Sequence, residues 1–510
     1  MKTGNKVLCL AFCILVGAYS YTPLQVVGMA SAGVNVPFTN SDWVYFALWK
    51  LEANGLTGPI FASSRPFERE EVARIIASIK KDIEDGRIKP NTHELGLIRK
   101  LEAEFGGDLS PHGLNIRGSP AIEKDKQHPP SFSFWGAGGF YPVPNVALYE
   151  ELDVGRYRET TGKEGETAST RINSWRWNYT ADFRRAYIWF HLNRFGALFG
   201  RQSLFWGPGY GGSLIISDNS PAFDMIMLKA RFGPVQAMAF SAVLDKMWSE
   251  RGDPPYRYLA DRYLSGHRID WLVGNRVELG LSEVILYGGE ARNMELQYMN
   301  PLLPYYASQW NSKLDNNVLA SADFAIRPVD KLKVYGQFLV DDFNYADHDP
   351  NALGYIAGFY LSDPLGILRT DLRAEYTRVD SWTYTHLVPE NQFTHYGWVI
   401  GHHLGPDADQ TLVELGRMLN VDTRLKLIYA FEREGSRTVA DRFRGEEYRR
   451  MKFPSGTVER RHRVGFQFLW EPLRGPQINI SCWRSFIHEK GNYRQDNELS
   501  IKAGYIVTSE

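Results

Sequence analysis

The chain has 510 residues, 44% of them hydrophobic and 23% charged, and a formal net charge of -1. It is long enough to bury a large core, and it lacks the basic excess that a nucleic-acid partner requires. Three cysteines exclude a disulfide-built scaffold, while 27 Tyr and 14 Trp lean towards interfacial girdles or a sugar-binding surface.

An apolar run over residues 7–16 follows Lys2 and Lys6, and Ala30-Ser31-Ala32 supplies the small residues that a signal peptidase reads. Residues 1–32 are therefore expected to be a signal peptide, leaving Cys482 as the one cysteine of the exported chain. A lipoprotein reading through Cys13 is opposed by Phe12, which stands where a small residue is wanted. Beyond Ala32 no unbroken apolar stretch reaches the ~20 residues of a membrane helix. The exported chain is then either soluble or a barrel that crosses a membrane with strands.

Residues 33–110 read as a three-helix unit. Ser41 or Asp42 caps a first helix that runs to Ala53 and stops at Gly55. A second, over about residues 68–84, sets Val72, Ile75, Ile76 and Ile79 on one face and ends at Gly86. The third follows Asn91-Thr92, carries Leu95, Ile98, Leu101 and Phe105, and ends at Gly106-Gly107. Residues 111–130, with Pro111, Pro129 and Pro130, read as a linker.

Residues 131–510 are written mostly in a two-residue alternation. Leu499, Ile501, Ala503, Tyr505 and Val507 alternate with Glu498, Ser500 and Lys502, which gives a strand with one apolar and one polar face. The pattern recurs at residues 331–338, 424–429 and 463–468. Short, turn-rich connections near residues 232–234, 327–330, 363–366 and 471–476 alternate with long ones near 245–268, 288–317, 341–352, 380–396 and 433–460. That asymmetry is expected of a large antiparallel transmembrane β-barrel, for which about 14 to 20 strands would fit, although a soluble sandwich also mixes loop lengths. Arg276, Glu278, Lys333, Gln337, Arg373, Glu375, Arg463 and Gln467 are candidates for the lumen, where their mixed signs would pair.

One segment breaks the alternation. Residues 199–219 read Phe-Gly-Arg-Gln-Ser-Leu-Phe-Trp-Gly-Pro-Gly-Tyr-Gly-Gly-Ser-Leu-Ile-Ile-Ser-Asp-Asn. This stretch resembles the Wzi family of capsule-assembly outer-membrane proteins, whose members carry a comparable Trp-Gly-Pro-Gly turn followed by Gly-Ser-Leu and a Ser-x-Asn. Residues 297–302 add a second echo. The resemblance implies an eighteen-stranded barrel in the outer membrane of a Gram-negative bacterium, with the helical unit at its periplasmic end. It also implies a lectin-like role in which loops retain or assemble capsular or other exported polysaccharide. The expected partners are that polymer and outer-membrane lipid with lipopolysaccharide, for a monomer without cofactor.

Sugar recognition needs flat aromatic faces flanked by groups that bond hydroxyls. Arg201, Gln202, Trp206, Tyr210, Asp218 and Asn219 supply that chemistry, as do Tyr305, Tyr306, Gln309, Trp310 and Asn311 in a long loop. The plainer alternative is that the glycine-rich segment only shapes a turn. A rival of another class is a diffusion channel with the helices as plug or anchor. No catalytic set is legible: Gly211-Gly212-Ser213 lacks the last glycine of a nucleophile elbow, Ile215 standing in its place. No metal set is legible either, because the neighbouring side chains of His402 and His403 would point to opposite faces of a strand, and His386 and His395 show no ligand spacing.

Overall fold

The computed structural model describes residues 43–109, 113–125, 131–143, 145–156, 179–252, 254–312, 316–342, 350–441, 443 and 452–508. The expected signal peptide lies outside them. Three helices come first: α1 (Trp43–Ala53), α2 (Arg69–Glu84) and α3 (Thr92–Phe105). Asn91 caps α3 by accepting from the backbone N–H groups of His93 and Glu94 at 2.9 and 3.1 Å, while Glu94 accepts from Asn91 N at 2.7 Å. α2 is amphipathic and buries Val72, Ala73, Ile76 and Ile79. α1 is buried nearly all round, Lys50 and Glu52 included, as befits a helix enclosed by other structure.

Eighteen strands follow. The first nine are β1 (Gly113–Asp125), β2 (Ser131–Val143), β3 (Val146–Arg156), β4 (Tyr179–Leu192), β5 (Phe195–Gln202), β6 (Phe223–Phe232), β7 (Val235–Val243), β8 (Tyr256–Val273) and β9 (Val277–Glu290). The rest are β10 (Asn317–Val329), β11 (Leu332–Asp342), β12 (Ala352–Ser362), β13 (Thr370–Val379), β14 (Ala408–Met418), β15 (Thr423–Glu434), β16 (Glu459–Trp470), β17 (Gly475–Glu489) and β18 (Asn492–Thr508). A further segment, Met247–Arg251, continues β7 along the same neighbour, β8. Each strand pairs antiparallel with the next, and β18 closes on β1, with Gly504 opposite Ala121.

The alternation now has a direction. On β5, Phe195 and Phe199 stand outward and exposed while Leu198 and Gln202 are buried; on β8, Ile269 and Trp271 are outward while Arg268 and Asp270 are buried. A sandwich would bury the apolar face, whereas a membrane barrel turns it to lipid. Connections at residues 193–194, 233–234, 274–276, 330–331 and 419–422 lie on one rim, and those at 203–222, 291–312, 380–407, 435–441 and 452–458 lie on the other.

Two expectations need correction. The supposed linker over residues 111–130 contains β1, whose Ile116 and Ile122 face outward. Its alternation is hidden by Gly118 and Pro120, and Pro120, which has no N–H to give, falls where the pairing to β18 is interrupted between Gly118 and Ala121. The long loop expected near 245–268 is largely strand, because β8 is 18 residues long and Met247–Arg251 runs beside it.

The lumen is filled on the side of β5 to β15. α1 enters from the short-turn rim and spends its charges on the wall: Lys50 Nζ lies 2.6 Å from Asp371 Oδ1, and Glu52 Oε2 lies 2.6 Å from Lys333 Nζ. Lys100 on α3 reaches the same rim, donating to Glu471 O at 2.6 Å. Most of the expected lumen charges therefore meet inserted segments and not one another. Arg276 and Arg463 are exceptions: Arg276 sits in a turn and donates to Pro328 O at 3.0 Å, and Arg463 stays with the wall, 3.9 Å from Glu432 and 4.9 Å from the Trp483 ring centroid.

Candidate functional site

After Gln202 the chain turns inward before it returns to β6. Phe205 and Trp206 pair with Arg65 and Ser64, and Gly207 N donates to Ser63 O at 2.7 Å, so this insert meets the helical unit inside the barrel. Two wall residues clamp it. Glu375 on β13 accepts from Tyr210 N at 2.6 Å and Gly211 N at 2.7 Å, and Gln337 on β11 accepts from Leu214 N at 2.9 Å and donates to Trp206 O at 3.0 Å. The glycines are required by this fit: a Cβ on Gly207, whose φ is +143°, would lie 2.6 Å from Gln337 Oε1, and one on Gly209 would lie 2.0 Å from Gly212 O.

Tyr210 sits at the centre of a charged aromatic cluster. The Arg373 guanidinium lies 3.7 Å from its ring centroid, its hydroxyl donates to Glu414, and Lys426 Nζ donates to that hydroxyl at 2.9 Å. Burial, with Glu414 beside it, pushes the phenol above its ordinary range. Trp49 of α1 caps the cluster from below, with Lys333 Nζ 4.5 Å and Arg373 Cζ 4.9 Å from its ring centroid.

A second insert, residues 380–407, locks onto the first. Tyr384 Oη donates to Leu214 O at 2.5 Å, Ser217 N to Ile400 O at 2.9 Å, and Asn219 Nδ2 to Val399 O at 2.9 Å. Arg262 on β8 holds its far side, donating to Glu390 O and Gln392 O, each at 2.7 Å. His402 is buried here and its ring stacks on that of His403 at 4.4 Å. Burial pushes His402 well below its ordinary value, helped by His403, and its neutral Nδ1 accepts from Leu404 N at 3.3 Å.

The sequence-derived residues divide accordingly. Trp206 and Gln202 are 0% exposed, so neither presents a surface to a glycan; Trp206 packs edge-on against Phe240 at 5.3 Å. Arg201 faces outward from β5 and forms a two-pronged pair with Asp224 at 2.8 and 2.7 Å. Tyr210 and Asn219 are half-buried parts of the interlock, while Asp218 is exposed. In the loop between β9 and β10, Tyr305 is buried against His267 at 4.5 Å, Gln309 donates to Asn316 O at 2.7 Å, and Tyr306 is 54% exposed. The side chains of Trp310 and Asn311 lie outside the described residues.

Three features escaped the sequence. Trp248, on the strand segment that extends β7, is 59% exposed, with Arg257 Cζ 5.3 Å from its ring centroid. A cavity of about 530 Å³ lies between the helical unit and the wall near the closing seam, lined among others by Trp135, Glu151, Arg185, Asp218, Gln477 and Lys502. Near the short-turn rim, Glu68, Glu70 and His191 converge. Strand alternation could have flagged the lumen-facing Trp135, but no spacing signal links Glu68 to His191.

A family model described as capsule assembly protein Wzi matches residues 133–481. Among solved structures the chain is similar to Wzi of Escherichia coli, an outer-membrane protein involved in group 1 capsule assembly and described as a carbohydrate-binding β-barrel. That similarity has a TM-score of 0.62 at 16% identity and covers 94% of this chain and 99% of that one. OpdK of Pseudomonas aeruginosa gives a TM-score of 0.45 at 12% identity over 78% of this chain and 98% of that one. OccAB2 of Acinetobacter baumannii gives 0.46 at 10% identity over the same shares, 78% and 98%. A comparison with curated proteins returns no match.

Proposed function

The chain belongs to the Wzi family of capsule assembly proteins, and from that membership we propose that it retains exported polysaccharide at the surface of a Gram-negative outer membrane without catalysing a reaction on it. In this reading the long loops face outward and the helical unit faces the periplasm. The apolar belt meets membrane lipid and lipopolysaccharide, and the closed barrel acts as a monomer. The observation that carries the reading is the filling of the lumen on the side of β5 to β15: the helical unit and the two inserts interlock through Ser63, Gly207, Leu214 and Tyr384, where a diffusion channel needs a wide path.

Binding then falls to the long-loop rim and to the seam cavity. Tyr306 and Trp248 offer flat faces, and Arg257 and Asp218 offer groups for hydroxyls or carboxylates of a sugar. Each contact is weak alone, and a repeating polymer engages many of them at once. Deleting the gene tests this by comparing cell-attached with released polysaccharide. Attached polymer falls and released polymer rises while the total stays level; unchanged attachment in the deletion strain sinks the proposal.

A further inference from the structure

Three hydrogen-bond acceptors face one another where the helical unit joins the barrel wall. Glu68 and Glu70 lie at the start of α2, and His191 lies near the end of β4 on the short-turn rim. One ligand atom from each falls within 4.8 Å of the others, and His191 Nδ1 stands 3.6 Å from Glu68 Oε2. Glu68 Oε2, Glu70 Oε2 and His191 Nδ1 are each buried without a hydrogen-bond partner. The three residues are 4%, 5% and 8% exposed, so bulk water does not satisfy those atoms.

The tautomer of His191 sharpens the problem. Its Nε2 lies 2.8 Å from Asn193 O, and a carbonyl only accepts, so Nε2 carries the proton and Nδ1 presents a lone pair. That lone pair points at carboxylates. An imidazolium would put a proton on Nδ1 as well and pair with Glu68 at 3.6 Å, so a cation competes with that proton for Nδ1. The neighbouring cations bond other atoms than these three: Lys229 Nζ lies 3.0 Å from Glu68 Oε1, and Arg231 Nη1 lies 3.0 Å from Glu71. Arg74 reaches Glu70 Oε1, not Oε2, and only at 3.6 Å.

We propose that Glu68 Oε2, Glu70 Oε2 and His191 Nδ1 bind a divalent cation. One imidazole with two carboxylates suits zinc or a similar borderline ion, and a histidine that donates its second N–H to a backbone carbonyl has the support typical of a metal ligand. Donors around a tetrahedral ion with bonds of about 2.1 Å stand about 3.4 Å apart, so His191 and Glu68 are close to ligand spacing and Glu70 needs a small rotation. Two ligands come from the helical unit and one from the barrel. The ion therefore fastens the helices to the wall.

The test uses the full-length protein folded in detergent, stripped with EDTA and titrated with Zn²⁺, with bound metal read by mass spectrometry. Wild type holds one zinc per chain and its unfolding temperature rises on zinc addition. H191A and E70Q, each shown by heat-modifiable mobility to retain a folded barrel, bind zinc at least about tenfold more weakly and gain no thermal stability from it. Equal zinc content in wild type and both variants overturns the site. Should the variants not fold, a wild type that retains no zinc and is not stabilised by it overturns the site equally.

Discussion

Glu375 is a carboxylate that an open, water-filled lumen would leave solvated. Here it is buried, and its two oxygens receive the backbone N–H groups of Tyr210 and Gly211. A charged acceptor makes such bonds worth roughly 1.5–3 kcal/mol each, and their loss also strands two buried N–H groups. E375A is expected to loosen the first insert by about 3 kcal/mol, whereas E375Q, which keeps one acceptor, loses less. Limited proteolysis of the folded protein at residues 203–222 reads the difference. Equal resistance in wild type and E375A would show that Glu375 is not the clamp. Trp206 carries the same lesson from the other partner: an aromatic in a glycine-rich loop suggested a stacking face, yet its ring fills a core position against Phe240.

At the scale of elements, the second insert should respond to acid. The folded-state value of His402 lies below its ordinary 6.5 because burial disfavours the imidazolium. The stability of the neutral form is complete above 6.5 and is lost as pH falls below it, since the unfolded chain takes up the proton first. Melting temperature measured between about pH 8 and about pH 5 should fall on the acid side, and less steeply in H402Q. A melting temperature of wild type that is flat across that range contradicts the assignment.

The elements themselves were largely legible. Helix stops at Gly55 and Gly86 and the cap at Asn91 stand where local rules place them, and β18 follows its alternation from Glu498 to Val507. β1 was not legible, because Gly118 and Pro120 look like turn residues when the partner strands are unknown. The direction of the two inserts was hidden for another reason. Periodicity records which face of a strand is apolar, but nothing in residues 203–222 or 380–407 states whether a loop projects into solvent or folds back. Glu375 and Gln337 could be read as lumen residues; that their partners are backbone groups of a loop could not.

The whole molecule is an eighteen-stranded wall around a second structure built from both rims, and the two depend on different interactions. The wall is held by continuous antiparallel ladders that close at β18 and β1. The filling is held mainly by side chains, Lys50 to Asp371, Glu52 to Lys333 and Ser64 to Asp270 at 2.5 Å, with a short backbone pairing of Trp206 and Ser64 beside them. Deleting residues 43–105 leaves the ladders complete but takes Glu52 from Lys333 and Lys50 from Asp371, which keeps the Tyr360 hydroxyl alone. Water must enter to solvate them, because buried charges left unpaired cost several kcal/mol each. The first insert also loses Ser63 and Ser64, which hold it from below. In a planar bilayer the deletion variant should conduct ions several-fold better than the intact protein while keeping the heat-modifiable mobility of a folded barrel. A large conductance in the intact protein, matched by the variant, would mean that the helices and inserts do not close the lumen, and the case for retention over passage would lose its structural basis.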